Sequence, residues 1–234
     1  MKVSLTPKSN HSSNKWSDLC FTWCSGLVLI CIAYTVIALS KHAAKLSKEH
    51  LDHTFYICHY LLVTRCYSLV FDGSTKAGLI VYTDFDWASD PNTRRSQTGW
   101  FIKLAGCIFS WQSCQQSHVA YSSTEAEYVA LSDCSKQVIW IRTIMEELGY
   151  LLEPIPICGD NQGSIFMADN PVTESRSKHI NLWWHGIRNY IKKGLIKIFY
   201  IKGTKNPADM FTTNLGQKAL NNLLGILVFL IRIF

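Results

Sequence analysis

The stretch SSTEAEYVALSDCSKQVIWIRTIMEELG, residues 122–149, decides the fold. Counted from Glu127 in steps of four and three, it meets Leu131, Cys134, Val138, Ile141, Met145 and Leu148. That apolar stripe predicts one long helix with a single face toward a core. Ser122-x-x-Glu125 has the form of a capping box, and Gly149 supplies the stop. Glu127 is out of place, a carboxylate where the stripe calls for a core residue. A carboxylate on a buried face needs a cation or a metal; a stripe end that reaches solvent is the bland alternative.

On the N-terminal side of this helix, GLIVYT (78–83) is a strand run ending at Asp84. A polar loop with Arg94 and Arg95 leads to GWFIKLAG and CIFSWQS, a hairpin turning near Ala105-Gly106. HVAYSS, residues 118–123, reads as a third short strand feeding the helix. On the C-terminal side, residues 155–158 form a short strand closed by Gly159-Asp160-Asn161, and a helix covers 162–168. The last strand is IKIFYI (196–201). After a turn at 202–205, Asn206-Pro207 opens a further helix as N-cap and first helical residue. Strands alternating with helices give an α/β sheet with parallel pairing in its second half.

The 234 residues suffice for one good-sized domain with an appendage, and 48% hydrophobic content excludes global disorder. The net charge of +6 is concentrated: residues 171–218 hold nine Lys/Arg against Glu174 and Asp209. Such a basic third suits a polyanion, nucleic acid or anionic lipid, unless it is a solvated face. Nine cysteines with no CxxC pair read as reduced core residues of an intracellular protein. Residues 20–39 carry no charge and are long enough on hydropathy to span a bilayer; a buried helix is the other reading.

Four acids stand at strategic places. Asp84 and Asp160 end strands, Asp209 lies in the first turn of the last helix, and Glu127 is the fourth. Each has a local explanation: Asp84 as a turn residue like Asp86 and Asp90, Asp160 as a helix cap, Asp209 as a complement to a helix dipole. Together they form an oxygen-only donor set for a hard divalent cation. Two such ions can activate water and stabilise a leaving oxygen in phosphodiester hydrolysis.

The runs YTDFDWASD, RRSQTGWF, SSTEAEYVAL, IPICGDNQGSI, SRSKHINLWWHGIR and NPADMFTTNLG occur in that order. They closely resemble the ribonuclease H domain of copia-type LTR retrotransposon Pol polyproteins, over residues 79–216. The resemblance implies an RNase H-like α/β fold, a mixed five-stranded sheet flanked by helices and preceded here by a helical segment. It implies Mg²⁺ (or Mn²⁺)-dependent cleavage of the RNA strand of RNA–DNA hybrids. Asp84, Glu127 and Asp160 match the catalytic acids, and Asp209 the last metal-associated acid. Residues 1–19 are then an unassigned head and 20–72 a helical tail of the preceding reverse transcriptase. Residues 75–216 are the RNase H-like domain and 217–234 an apolar tail.

In the parent element the partner is the reverse transcriptase domain, whose YVDD-type aspartate pair this chain lacks. Arg94, Arg95, Arg176, Lys178, Arg188, Lys192 and Lys193, with Lys197, Lys202 and Lys205, are candidate phosphate contacts, and His179 is a candidate nucleic-acid-binding residue on the substrate side. His185 is a candidate substrate-side residue, and Trp183 and Trp184 are candidate stacking or core residues. The chain departs from the family pattern at Asn181, Asn189 and Thr213-Asn214, none of them one of the four acids. A catalytically decayed, nucleic-acid-binding remnant and a small membrane-anchored protein are the alternative readings.

Overall fold

The computed structural model describes residues 26–64, 67–69, 78–150, 152–170, 186–214 and 230–232. Its centre is α3, Ser123–Glu147, the helix expected from the stripe. Ser122 caps it through a side chain that accepts from the Glu125 N–H, while Glu125 returns a carboxylate oxygen to the Tyr121 N–H at 2.7 Å. Gly149 follows in the left-handed region at φ 85°. Leu131, Cys134, Val138 and Ile141 are buried; Leu148, at the open end of the stripe, is 67% exposed.

The sheet that α3 covers has five strands. They are β2 (Ile80–Asp86), β3 (Gln97–Leu104), β4 (Cys107–Gln115), β5 (Ile155–Gly159) and β6 (Ile196–Tyr200), preceded in the chain by β1 (Tyr67–Leu69). The order is β4-β3-β2-β5-β6, antiparallel through the first three and parallel from β2 through β5 to β6. This is the mixed five-stranded sheet that the ribonuclease H resemblance implies. Ala105 and Gly106, both at positive φ, make the two-residue turn between β3 and β4. Leu79, Val81, Trp100, Ile102, Ile155, Ile157 and Ile196 meet the stripe of α3 in the main core.

α4 (Gln162–Asp169) and α5 (Gly186–Lys192) follow β5. Ahead of the sheet, α1 (Gly26–Ser40) and α2 (Lys48–Thr64) form the helical segment. α1 is anchored: Ile30 is fully buried in a second cluster with Phe101, Ile108, Met210 and Phe211. α2 buries none of its side chains. Among the described residues no helix is long and apolar enough to cross a membrane. A small antiparallel pair joins β1 to β7 (Leu230–Arg232).

Three local expectations are corrected. Residues 118–123 are not a strand: 118–122 are irregular and pair with no strand among the described residues, and Ser123 already opens α3. β2 does not stop at Asp84, because pairing with β3 continues to Asp86↔Gln97. The segment after Asn206 is one 3₁₀ turn, Pro207–Phe211, with Asn206 as its N-cap and Pro207 first, not a full helix.

Candidate active site

Parallel register brings the first two acids together. Tyr82 pairs with Cys158, so Asp84 and Asp160 each lie two residues further along neighbouring strands. Sites in such sheets collect beyond these carboxyl ends. Glu127 reaches the same place from α3 because Gly159 has no side chain: a Cβ there would stand 2.8 Å from Glu127 Oε1. Gly203 does the same for Asp160, where a Cβ would meet Oδ2 at 2.9 Å.

Asp209 is delivered by the 3₁₀ turn, and Asn206 fastens that turn to β2. Its Nδ2 donates to the Thr83 carbonyl at 2.9 Å and to Asp84 Oδ1 at 3.3 Å, while its Oδ1 caps the Ala208 N–H. Thr212, one turn on, donates its hydroxyl to Asp84 Oδ2. The close approach needs Gly99, the cross-strand partner of Asp84. A Cβ at Gly99 would lie 2.6 Å from Phe211 Cβ.

Electrostatics bind the four acids into one group. Burial pushes Asp84 up to about 7, and the charges of Asp160 and Asp209 add to the rise while the Thr212 hydroxyl opposes it. Burial also lifts Glu127 well above the carboxylate range, with Asp84 and Asp160 contributing in the same direction. Asp160 is raised by burial, with Asp209 adding to it. Glu127 is fully buried, and neither of its oxygens has a hydrogen bond of good geometry, although the Asp160 backbone N–H acts weakly on it. None of the four makes an ion pair among the described residues.

Local explanations fall away for Asp160, since Asn161 caps α4 by accepting from the Ser164 N–H at 3.0 Å. Asp86, set aside in the sequence as a turn residue, ends β2; burial raises its carboxyl, and Asp209 adds to the rise. Its i, i+2 spacing from Asp84 on a strand was the available signal.

Among the described residues no three His, Cys, Asp or Glu side chains stand close enough to grip an ion as they are. The donor set nonetheless suits one: hard oxygens only, mutually repelling, with two orphaned atoms on Glu127. A divalent cation would neutralise the charge that these carboxylates bring to one place.

The basic candidates divide. Arg94, Arg95, Lys192, Lys193, Lys197, Lys202 and Lys205 are exposed. Arg188 is half-buried and ties α5 inward, donating Nε–H to the Met167 carbonyl at 3.1 Å and interacting with Tyr128. Arg176, Lys178, His179, Trp183, Trp184 and His185 lie outside the described residues.

No protein-family model matches the chain. Among solved structures, a ribonuclease H1 from Halobacterium salinarum overlaps 62% of this chain and 99% of its own, at 17% identity and TM-score 0.36. Among curated proteins, the Pol polyprotein of transposon TNT 1-94 from Nicotiana tabacum is 36% identical over 181 residues, 77% of this chain. That of transposon RE1 from Arabidopsis thaliana is 34% identical over 192 residues, 82% of this chain. A shorter relative, secreted RxLR effector protein 161 of Plasmopara viticola, is 39% identical over 110 residues, 47% of this chain and 78% of its own. The chain spans 14% and 13% of the two polyproteins' lengths. With six ordered motifs and those identities, the chain belongs to the copia-type retrotransposon Pol family, as a portion built on a mixed five-stranded sheet.

Proposed function

We propose that this domain is a divalent-metal-dependent ribonuclease H that hydrolyses the RNA strand of RNA–DNA hybrids. One observation carries the reading: parallel register, the missing side chain of Gly159 and the turn that Asn206 fastens to β2 bring four carboxylates from separate segments to the carboxyl ends of β2 and β5, with no ion pair to any of them among the described residues. Asp84, Glu127, Asp160 and Asp209 are the residues that would hold Mg²⁺ or Mn²⁺. The bound ion supplies Lewis-acid polarisation and charge neutralisation at a phosphodiester.

The chain's own groups set the stage for that chemistry. Asn206 and Thr212 fix the Asp84 carboxylate by its two oxygens, so its orientation precedes ligand binding. Burial keeps Asp84 partly protonated near neutrality and raises Glu127 in the same direction, so occupation of the site releases protons. Exposed Arg94, Arg95, Lys192 and Lys193 would take backbone phosphates without reading sequence. Hybrid preference would rest on groove shape and 2′-hydroxyls.

A second reading, a folded remnant that binds nucleic acid without cutting it, is favoured by the spacing of the acids, which leaves no ready-made three-ligand grip. Hydrolysis of a labelled RNA–DNA hybrid with Mg²⁺ separates the two. Release of short RNA by the wild type and its loss, by at least about 100-fold, in Asp84→Asn supports the nuclease. Equal signals from both proteins remove it.

A further inference from the structure

Beside the carboxylates is a loop from which one ring, Trp87, reaches solvent, and the catalytic reading leaves that ring unused. Residues 87–96 connect β2 to β3. Trp87 follows Asp86 directly and is 49% exposed; Tyr121, just before the cap of α3, is 80% exposed. The Trp87 Nε1–H donates to the Ala120 carbonyl at 3.3 Å, which ties the loop to the residue preceding Tyr121.

The loop is built, not loose. Asp90 Oδ1 accepts from the N–H groups of Asn92 and Thr93, and its Oδ2 accepts from Gln115 Nε2 at 2.6 Å. Ser96 Oγ accepts from the Ala88 N–H at 3.1 Å, and the Arg94 N–H donates to the Asp90 carbonyl at 2.8 Å. Ala88 and Arg94 sit at φ 50° and 54°, left-handed positions that disfavour side chains. Strained backbone and fixed hydrogen bonds together keep the indole out of the core. Arg94 and Arg95 are exposed on the same loop and make no ion pair among the described residues. An exposed ring and two exposed guanidinium groups on one hydrogen-bonded loop, with Tyr121 next to the residue that Trp87 is tied to, match the chemistry of a nucleic-acid strand. Continuity points the same way, because Trp87 directly follows β2, three residues beyond Asp84.

We propose that residues 87–96, with Tyr121, form a strand-docking element of the active site. Trp87 and Tyr121 offer ring faces to the sugars or bases of one strand, and Arg94 and Arg95 hold its phosphates. This rests on the nuclease reading and extends it to the residues that position the substrate.

The test is binding of a labelled RNA–DNA hybrid to the full chain carrying Asp84→Asn, followed by fluorescence anisotropy over a series of salt concentrations. Tyr121→Ala and Trp87→Ala are each expected to raise Kd about tenfold with the salt slope unchanged. Trp87→Phe recovers most of that loss. Arg94→Ala and Arg95→Ala weaken binding and lower the salt slope by about one each. Circular dichroism melts show which variants fold, and Tyr121, being so exposed, keeps the test open if Trp87→Ala unfolds. An unchanged Kd in Tyr121→Ala and in the folded Trp87 variants, while the native chain still cuts hybrid, overturns the docking role alone and points to a protein partner for the loop. Failure of the native chain to cut and of the Asp84→Asn chain to bind overturns the nuclease reading and the docking role together.

Discussion

Glu127 is the residue that a stable core alone would not retain. It is completely buried, its oxygens lack good hydrogen bonds, and Asp84 and Asp160 stand near it. Glu127→Gln keeps the shape and removes the charge. In metal-free protein it is expected to lessen the fall in Tm between pH 5 and pH 8, while hydrolysis falls at least about 100-fold. Differential scanning fluorimetry and the hybrid assay read the two effects. Asp84 gives a pH dependence of defined sign. An unfolded aspartate titrates near about 3.9 and the folded one at about 7, so between these values the folded chain holds a proton that the unfolded chain has lost. Stability is therefore full below the lower value and falls as pH rises through the upper one. Metal-free protein in EDTA melts higher at pH 5 than at pH 8, and millimolar Mg²⁺ restores the difference at pH 8. Glu127 was legible as an interruption in a regular stripe. Thr212 was not, because nothing local marks a hydroxyl that serves a carboxylate 128 positions away.

At the scale of elements, the site depends on close approaches that only glycine permits. Gly99 lets the Pro207–Phe211 turn lie against β3, and the turn carries Asp209. Gly99→Ala is expected to cost about 1–3 kcal/mol and to lower hydrolysis beyond what the lost stability explains, by displacing Asp209. Gly186→Ala, whose Cβ meets nothing within 4 Å, leaves both melting and activity unchanged. Thermal melts beside kcat measurements check the pair. Elements written in local periodicity were readable: the α3 stripe, its capping box, and the Ala105-Gly106 turn. Those that depend on a distant neighbour were not. Residues 118–122 resemble a strand but pair with none among the described residues, and β2 extends to Asp86 because Gln97 lies opposite.

Across the whole molecule, the helical segment and the sheet share one core at α1 and part company at α2. Ile30 fills the cluster of Phe101, Ile108 and Phe211, so Ile30→Ala is expected to cost about 2–4 kcal/mol. Leu62→Ala on exposed α2 changes stability by less than about 0.5 kcal/mol, and urea melts compare the two directly. The apolar run at 20–39 thus has a concrete role over the part described, which hydropathy by itself could not separate from a membrane span. The sheet order was inferable only through the family resemblance, because strand adjacency leaves no trace in local pattern. The central claim is that Asp84, Glu127, Asp160 and Asp209 act as one cation site. Isothermal titration of Mg²⁺ into the wild type, Asp84→Asn, Glu127→Gln and Asp160→Asn measures it most directly. Expected is binding by the wild type with release of protons and its loss in every variant; variants that bind Mg²⁺ as the wild type does, or a wild type that binds none, would contradict it.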